Sequence, residues 1–451
     1  MKKLILLCLI AYASVVHACP LITETPGQAD QFVDSIGVNT HFGFGGSPYN
    51  GSANYTAIVL PTFESSGIRH IRDAAYVTNN FQTANQQSLI TDMLAYNGTR
   101  IGFDLVAITP ACSGSFLNET TYPPSGVSTW ITAANIDYFE GLNEFNGSSL
   151  NCSGNTWPVL LPHFQADWYT NVKASFAATP VIGPSLLFDS SSQITAAAMS
   201  VGSLFSSMDY ANQHSYPGGN YPSFYINTIY NDTTSMNGNH TCIATETGYH
   251  NDTLNPQSDG DQVGVSTLSS GNFYSNLYFE YWNFGCKRTY GYELFDDPSV
   301  AKFTPAPPGD AVGTSQANYG LFSSTGTAKA QGTSVSNIIS ILADPGAPFS
   351  PTPLTYVFSN FPSQLHHTLL QKRNGRYYMT VWQEIDNYLT TSPYGDISIT
   401  PVTTVLQFLN PITTINQYDP VSANTPFHTD SASSITTLTV YDYAIIVEII
   451  P

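Results

Sequence analysis

Between residues 36 and 345 the chain repeats one pattern, a short apolar run followed by a longer stretch with helical spacing. The short runs are "IGVNTHF" (36–42), "IRHIRD" (68–73), "RIGFDLVA" (100–107) and "IDYFEG" (136–141). Four more follow: "PVIGPS" (180–185), "MDYANQH" (208–214), "TCIATE" (241–246) and "RTYGYEL" (288–294). Runs this short suit strands buried on both faces, as in a parallel sheet covered by helices. Between them lie amphipathic stretches at 55–67, 86–98, 163–176 and 273–285, and 333–344 reads as the helix after the last strand. Eight strands, each followed by a helix, predict an α/β fold of the (β/α)₈ or TIM-barrel type. An open doubly wound sheet would need a glycine-rich phosphate loop after an early strand. "FGFGGSPYNGS" (42–52) does not have that spacing.

The pattern changes after a Pro-rich linker, "DPGAPFSPTP" (344–353). "LLQKRNGRYYMTVWQEI" (369–385) reads as a hairpin about Asn374-Gly375, and "TTVLQFL", "SITTLTVYD" and "YAIIVEII" are β-branched and alternating. A small C-terminal antiparallel β-sandwich is therefore predicted over 346–451, behind a barrel over 19–345. A chain of 451 residues suits one large and one small domain.

The first 18 residues, two lysines and then an apolar run ending at Ala18, read as a secretory signal peptide. No later run approaches the roughly 18 uninterrupted apolar residues that a membrane span needs. Without Lys2 and Lys3, 11 basic residues face 32 acidic ones, a formal charge of −21. That excess repels nucleic acid and anionic membranes. Few charges with abundant Tyr, Asn, Ser and Thr suit neutral, hydroxyl-rich ligands. Nine Asn-x-Ser/Thr sequons, at Asn50, Asn54, Asn97, Asn118, Asn146, Asn151, Asn231, Asn239 and Asn251, point to a secreted glycoprotein and a eukaryotic source. Cysteines 112, 152, 242 and 286 contain no CxxC pair, so disulfides are expected rather than a metal site. Cys19 is left over, with lipid attachment an alternative fate because "VVHAC" loosely resembles a lipoprotein cleavage site.

The titratable residues gather on this strand map. Barrel active sites lie at the C-terminal ends of the strands. Asn143 and Glu144 fall at that end of the fourth strand and Glu246 at that end of the seventh. His41 falls near the end of the first run, and Arg72 and Asp73 end the second. His214 and Tyr216 follow the sixth, and Tyr292 and Glu293 end the eighth. Two carboxylates from nearly opposite strands of one mouth are what retaining glycosidic hydrolysis requires. One attacks the anomeric carbon and the other protonates the leaving oxygen, roughly 5–5.5 Å away. An arginine would keep the nucleophile ionised and a tyrosine hydroxyl would hydrogen-bond it. The bland readings are a solvated strand-end glutamate, a structural pair of Arg72 with Asp73 or Asp104, and mouth histidines that touch no sugar. Trp282 reads as core rather than as a sugar platform.

With "GLNE" at the fourth strand, "HSY" after the sixth and "TETG" at the seventh, the chain resembles clan A of the glycoside hydrolases over residues 36 to about 345. The resemblance implies that Glu144 is the acid/base, Glu246 the nucleophile and Asn143 a ligand of the sugar 2-hydroxyl. Tyr216 would contact the nucleophile. It implies no cofactor, a carbohydrate substrate and no nucleic-acid partner; a monomer is expected. Two positions depart from the clan pattern. "GYELFDDP" offers Tyr292, Glu293 and Phe295 where many members carry tryptophan, and "FDLVA" ends the third strand without the histidine of cellulase-like members.

Other readings stay open at this level: a non-catalytic carbohydrate-binding or cell-wall protein on the same barrel, or an inverting hydrolase with carboxyls about 6.5–9.5 Å apart. The strand map also pairs the cysteines. Cys112 and Cys152 lie in neighbouring loops at the mouth, and Cys242 and Cys286 at the starts of neighbouring strands, which predicts bonds 112–152 and 242–286.

Overall fold

The structure is a computed structural model, and it describes residues 20–44, 46–78, 81–188, 190–257, 262–298 and 315–451. The signal segment 1–18 and Cys19 lie outside the described residues. Eight parallel strands form one sheet: β1 Ile36–Asn39, β2 His70–Ala74, β3 Gly102–Ala107, β4 Ile136–Leu142, β5 Val181–Ile182, β6 Ala211–His214, β7 Cys242–Thr247 and β8 Thr289–Gly291. Their lateral order runs β6-β7-β8-β1-β2-β3-β4-β5. The ends meet where Ile182 of β5 bridges Tyr210, next to β6, in parallel sense. The Gly183 amide donates to the Tyr210 carbonyl at 3.0 Å there. The sheet is a closed (β/α)₈ barrel. β5 is short because Pro180 and Pro184 flank it and neither can donate to a ladder.

Alternation divides each strand between two environments. Val38, Ile71, Phe103, Phe139, Val181 and Ala244 point outward and join the main apolar core beneath the helices. Inward, Tyr138, Ile182, Ile243 and Tyr290 pack together as one apolar layer. Gly37 faces that layer, and a Cβ there would sit 2.4 Å from the Tyr290 ring. One step nearer the mouth the interior turns polar, with Asn39, Arg72, Asp104, Glu140, Asn212 and Thr245 all buried. This polar layer carries the site.

The C-terminal strands build two sheets, as predicted. Leu354–Phe358, Val402–Phe408 and Ile435–Val440 pair antiparallel in one. Leu365–Gln371, Tyr377–Gln383, Ile445–Ile450, Thr414–Tyr418 and Pro426–Ser431 follow one another across the other. A separate apolar core, with Tyr356, Met379, Leu406, Leu438 and Val447 in it, lies between them. In the first hairpin only Gly375 takes positive φ (+85°), and its amide bonds the Lys372 carbonyl at 2.9 Å. The connection is thus a turn with a glycine bulge, one residue longer than an Asn-Gly pair turn.

Two expectations are corrected. Residues from 19 onward were assigned to the barrel, but strand Ile22–Glu24 pairs antiparallel with Leu354–Tyr356, and Gly27–Gln28 pairs with Leu370–Gln371. The N-terminal strands complete the sandwich, which therefore clasps both ends of the barrel segment. The 273–285 stretch is also not amphipathic in its setting. Its helix, Thr267–Phe284, is buried without a break from Ser269 to Tyr281, because the barrel covers one side and the sandwich the other. Its polar residues reach into the sandwich: Asn272 Nδ2 donates to Asp442 at 2.8 Å, and the Ala444 amide donates to Ser275 Oγ at 2.8 Å. Trp282 packs edge-on to Phe32, as core.

The cysteines pair 112–152 and 242–286, with Cα separations of 5.4 and 4.7 Å. The first bond ties the loops after β3 and β4 at the mouth; the second ties the starts of β7 and β8. No helix among the described residues is long and apolar enough to cross a membrane.

Candidate active site

Arg72, near the C-terminal end of β2, organises the polar layer. Its Nε and Nη2 donate to both oxygens of Glu140, at 2.6 and 2.9 Å. Nη1 donates to Asn39 Oδ1 at 2.8 Å and to Glu246 Oε1 at 2.6 Å, and Nη2 also reaches Asn143 Oδ1 at 2.7 Å. One planar fork thus joins β1, β2, β4 and β7, a task suited to guanidinium. The alternative reading, a structural pair with Asp73 or Asp104, is not the one formed. Asp73 turns away to Thr40 Oγ1 (2.7 Å) and the Phe42 amide (3.0 Å). Asp104 lies wholly buried; burial and then the charge of Glu140 push its carboxyl well above the carboxylate range, so it holds a proton. Glu140 is the residue that sequence reasoning missed. A carboxylate at an inward position of a buried strand must find a cation, and the parity of Glu140 with Tyr138 was the available signal.

Glu246, at the end of β7, is held from both sides. Oε1 accepts from Arg72 and Oε2 accepts the Tyr216 hydroxyl at 2.8 Å. Burial alone would raise its carboxyl, but His214, Arg72 and the Tyr216 bond outweigh it and hold the group below the usual value. Glu246 is therefore ionised at neutral pH. Tyr216 is pushed the other way, by burial and by the charge of Glu246, and stays a donor.

Glu144 sits where β4 turns into a short 3₁₀ segment. Its backbone is left-handed (φ 42°, ψ 39°), a conformation that costs a non-glycine residue about 1–3 kcal/mol. The Glu144 amide is fixed to Ser185 Oγ at 3.0 Å. His214 Nδ1 lies 2.7 Å from Glu144 Oε1 and 3.5 Å from Glu246 Oε2, between the two carboxylates. Its Nε2 meets Thr245 Oγ1 at 2.9 Å, which fixes the ring. Burial would lower the imidazole, yet Glu246 and Glu144 raise it above its ordinary value. One oxygen of Glu144, one of Glu246 and a His214 nitrogen all lie within 4.8 Å of one another. Such a trio has room for a cation, but the Arg72 guanidinium already neutralises Glu246 and His214 takes the charge from the Glu144 side.

The remaining expected residues line the same mouth. Asn143 is exposed, with its Oδ1 engaged by Arg72. His41 stacks on Phe44 (centroids 4.3 Å apart) and bonds Glu293 Oε2 through Nδ1 at 2.7 Å. Glu293 is fully buried, and burial pushes its carboxyl up to about 7 against the pull of His41. Tyr292 stands edge-on to His41, Tyr216 and Tyr319 at 5.5, 6.3 and 5.3 Å. Tyr319 comes from the segment after β8 and was not foreseen; it has no periodic neighbours in sequence to mark it. Together with Tyr216 these rings form one aromatic cluster beside His41.

No protein-family model and no curated protein sequence matches the chain. Solved structures do. A family 39 glycoside hydrolase from the gut symbiont Bacteroides cellulosilyticus WH2 aligns over 94 % of this chain and 83 % of its own, at 12 % identity and TM-score 0.58. A glucosidase from Croceicoccus marinus aligns over 95 % and 97 %, at 11 % identity and TM-score 0.59. The GH51 arabinofuranosidase from Xanthomonas axonopodis pv. citri aligns over 96 % and 100 %, at 9 % identity and TM-score 0.55. The fold is that of these glycosidases. Coverage near the full length of both chains means that the likeness takes in the sandwich as well as the barrel.

Proposed function

We propose that the chain is a secreted retaining glycoside hydrolase that cleaves β-glycosidic bonds of an oligo- or polysaccharide. The observation that carries this is the opposed pair. Glu144 and Glu246 present oxygens within 4.8 Å of each other, one held ionised and the other shared with an imidazole. An oxygen-to-oxygen approach this close favours a retaining mechanism, with carboxyl groups about 5–5.5 Å apart, over an inverting one at about 6.5–9.5 Å.

In the first step a Glu246 oxygen attacks the anomeric carbon. The bond to the leaving oxygen breaks, and that oxygen takes a proton from Glu144. His214 keeps the proton within reach, because Glu144 Oε1 and His214 Nδ1 share one hydrogen bond. In the second step Glu144, now a carboxylate, takes a proton from water as the water oxygen displaces Glu246 from the sugar. Arg72 and Tyr216 stabilise Glu246 when it leaves as carboxylate. Asn143, exposed beside Glu144, would hold the sugar 2-hydroxyl. His41 and Tyr292 would contact the ring from the opposite wall, with Glu293 orienting His41. A non-catalytic sugar-binding role is disfavoured, since both carboxylates are present and aligned.

Export is supported by the N-terminal segment and by two disulfides. Among the sequons, Asn251 and Asn146 have both side-chain polar atoms engaged. Asn146 donates to the Leu187 carbonyl at 3.1 Å and accepts from the Leu187 amide at 2.7 Å. The Asn251 side-chain amide donates to the Val265 carbonyl at 3.1 Å and its oxygen accepts from Gln331 at 2.7 Å.

A panel of aryl β-glycosides tests the proposal, with Glu246→Ala as the blank and the product anomer read by NMR. Turnover with retained configuration supports it. Inverted product, or equal turnover by the blank, removes it.

A further inference from the structure

We infer that the C-terminal sandwich is a working part of the catalytic site: Glu384 and Asp386 position the loop that carries Tyr216, and through it the hydrogen bond to Glu246. The inference rests on the assignment of Glu246 as nucleophile. It assigns a task to a domain that places no residue in the mouth described above.

The loop after β6 runs from Ser215 to Tyr225. At one end Tyr216 donates to Glu246 Oε2 at 2.8 Å. Further along, two successive backbone donors leave the barrel and end on sandwich carboxylates. The Tyr221 amide donates to Asp386 Oδ1 at 2.9 Å, and the Ser223 amide to Glu384 Oε1 at 2.8 Å. Between these points Gly219, at φ +83°, lies so near the sandwich that a Cβ would sit 3.0 Å from the Thr390 methyl. The bond to the Asp386 carboxylate is of the charge-assisted kind, about twice as strong as a neutral one. Both acceptors follow directly on strand Tyr377–Gln383, a rigid base for them.

Glu384 is itself held. The Trp382 indole N–H is shared between Glu384 Oε2 (3.0 Å) and Glu280 Oε1 (2.8 Å), and Glu280 comes from the buried barrel helix Thr267–Phe284. His366 closes the cluster through Nδ1 at 2.6 Å from Glu280. Two carboxyl groups this close cannot both be charged. Burial and then the charge of Glu280 push Glu384 well above the usual range, so it holds the proton. The next residue of the same helix, Tyr281, bonds the Ser215 carbonyl at 2.9 Å, at the root of the Tyr216 loop. One interface therefore fixes the loop at its root and at its middle.

The test uses the full chain with Glu384→Ala, Asp386→Ala and Glu384→Gln, the last keeping the Oε1 acceptor and the shape of a neutral carboxyl. Hydrogen–deuterium exchange needs no substrate. The two alanine variants should speed exchange of the 216–225 peptide by about tenfold or more, while helix Trp157–Ser175 is unchanged and the glutamine variant keeps wild-type protection. On an aryl glycoside each alanine variant should lower kcat/KM by about tenfold, the worth of one hydrogen bond, and move the acid limb of the pH profile upward. Added to Tyr216→Phe, neither should lower kcat/KM further.

Unchanged exchange in 216–225 overturns the proposal. So does a loss that multiplies with that of Tyr216→Phe while the acid limb stays put, for that is a merely structural role. If the wild type turns over no glycoside, the glycosidase reading fails. The exchange result then still decides whether the sandwich holds the loop.

Discussion

Replacing Arg72 by methionine should damage folding and catalysis in separable ways. The change removes five hydrogen bonds and one charge, from a side chain 6 % exposed. Glu140, completely buried, loses its counter-ion, though Asn212 Nδ2 still donates to it at 2.8 Å. Removing one partner of a buried pair costs about 3–5 kcal/mol, so urea unfolding should lose that much. Glu246 loses the charge 2.6 Å from its Oε1. With charge centres about 4 Å apart and an effective dielectric near 20, the interaction is about 4 kcal/mol, an upper bound of about three pKa units. Measured arginine–carboxylate effects are about 1–3 units. The acid limb of kcat/KM should therefore rise by about 1–3 pH units. The double change Arg72→Met with Glu140→Leu separates the effects. It should regain much of the stability, since an apolar replacement of a buried pair is often neutral, and leave the acid limb displaced. An acid limb unmoved in Arg72→Met, or a stability loss under about 1 kcal/mol, would refute the reasoning.

Three further outcomes are expected. Glu293 has a carboxyl raised from 4.5 to about 7, so the stability it contributes is full below 4.5 and is lost as pH rises through about 7. Thermal unfolding from pH 5 to 8 should show the wild type losing roughly 3 kcal/mol relative to Glu293→Gln. Removing the bond that spans 44 residues, as Cys242→Ala with Cys286→Ala, should cost about 4 kcal/mol in urea unfolding by the chain-entropy relation. Ser185→Ala should unbind the Glu144 amide and lower kcat by about tenfold or less, with KM little changed, read by steady-state kinetics.

The barrel was legible because a strand buried on both faces must be an apolar run, and eight such runs survive the loops between them. Glu144 and Glu246 were legible because each ends such a run, where side chains meet the mouth. The partner of Arg72 was not. β2 pairs Arg72 with Asp104 and β3 pairs Asp104 with Tyr138, after a register shift at Phe103/Asp104. Glu140 reaches Arg72 only across that stagger, which a linear sequence does not display. The N-terminal strands were missed for a related reason. Ile22 pairs with Tyr356, more than 300 residues away, through a segment too short to carry its own periodicity. The helix Thr267–Phe284 misled because its Ser, Asn and Glu residues look solvent-facing until the sandwich is in place.

The roles of Glu144 and Glu246 are tested most directly by azide rescue of their alanine variants on an activated aryl glycoside. With Glu246→Ala, azide should enter the space left by the nucleophile and give a glycosyl azide of inverted configuration. With Glu144→Ala the glycosyl-enzyme still forms, and azide should displace Glu246 to give the retained configuration. Both adducts with the same configuration, or no rescue of either variant, would contradict the assignment.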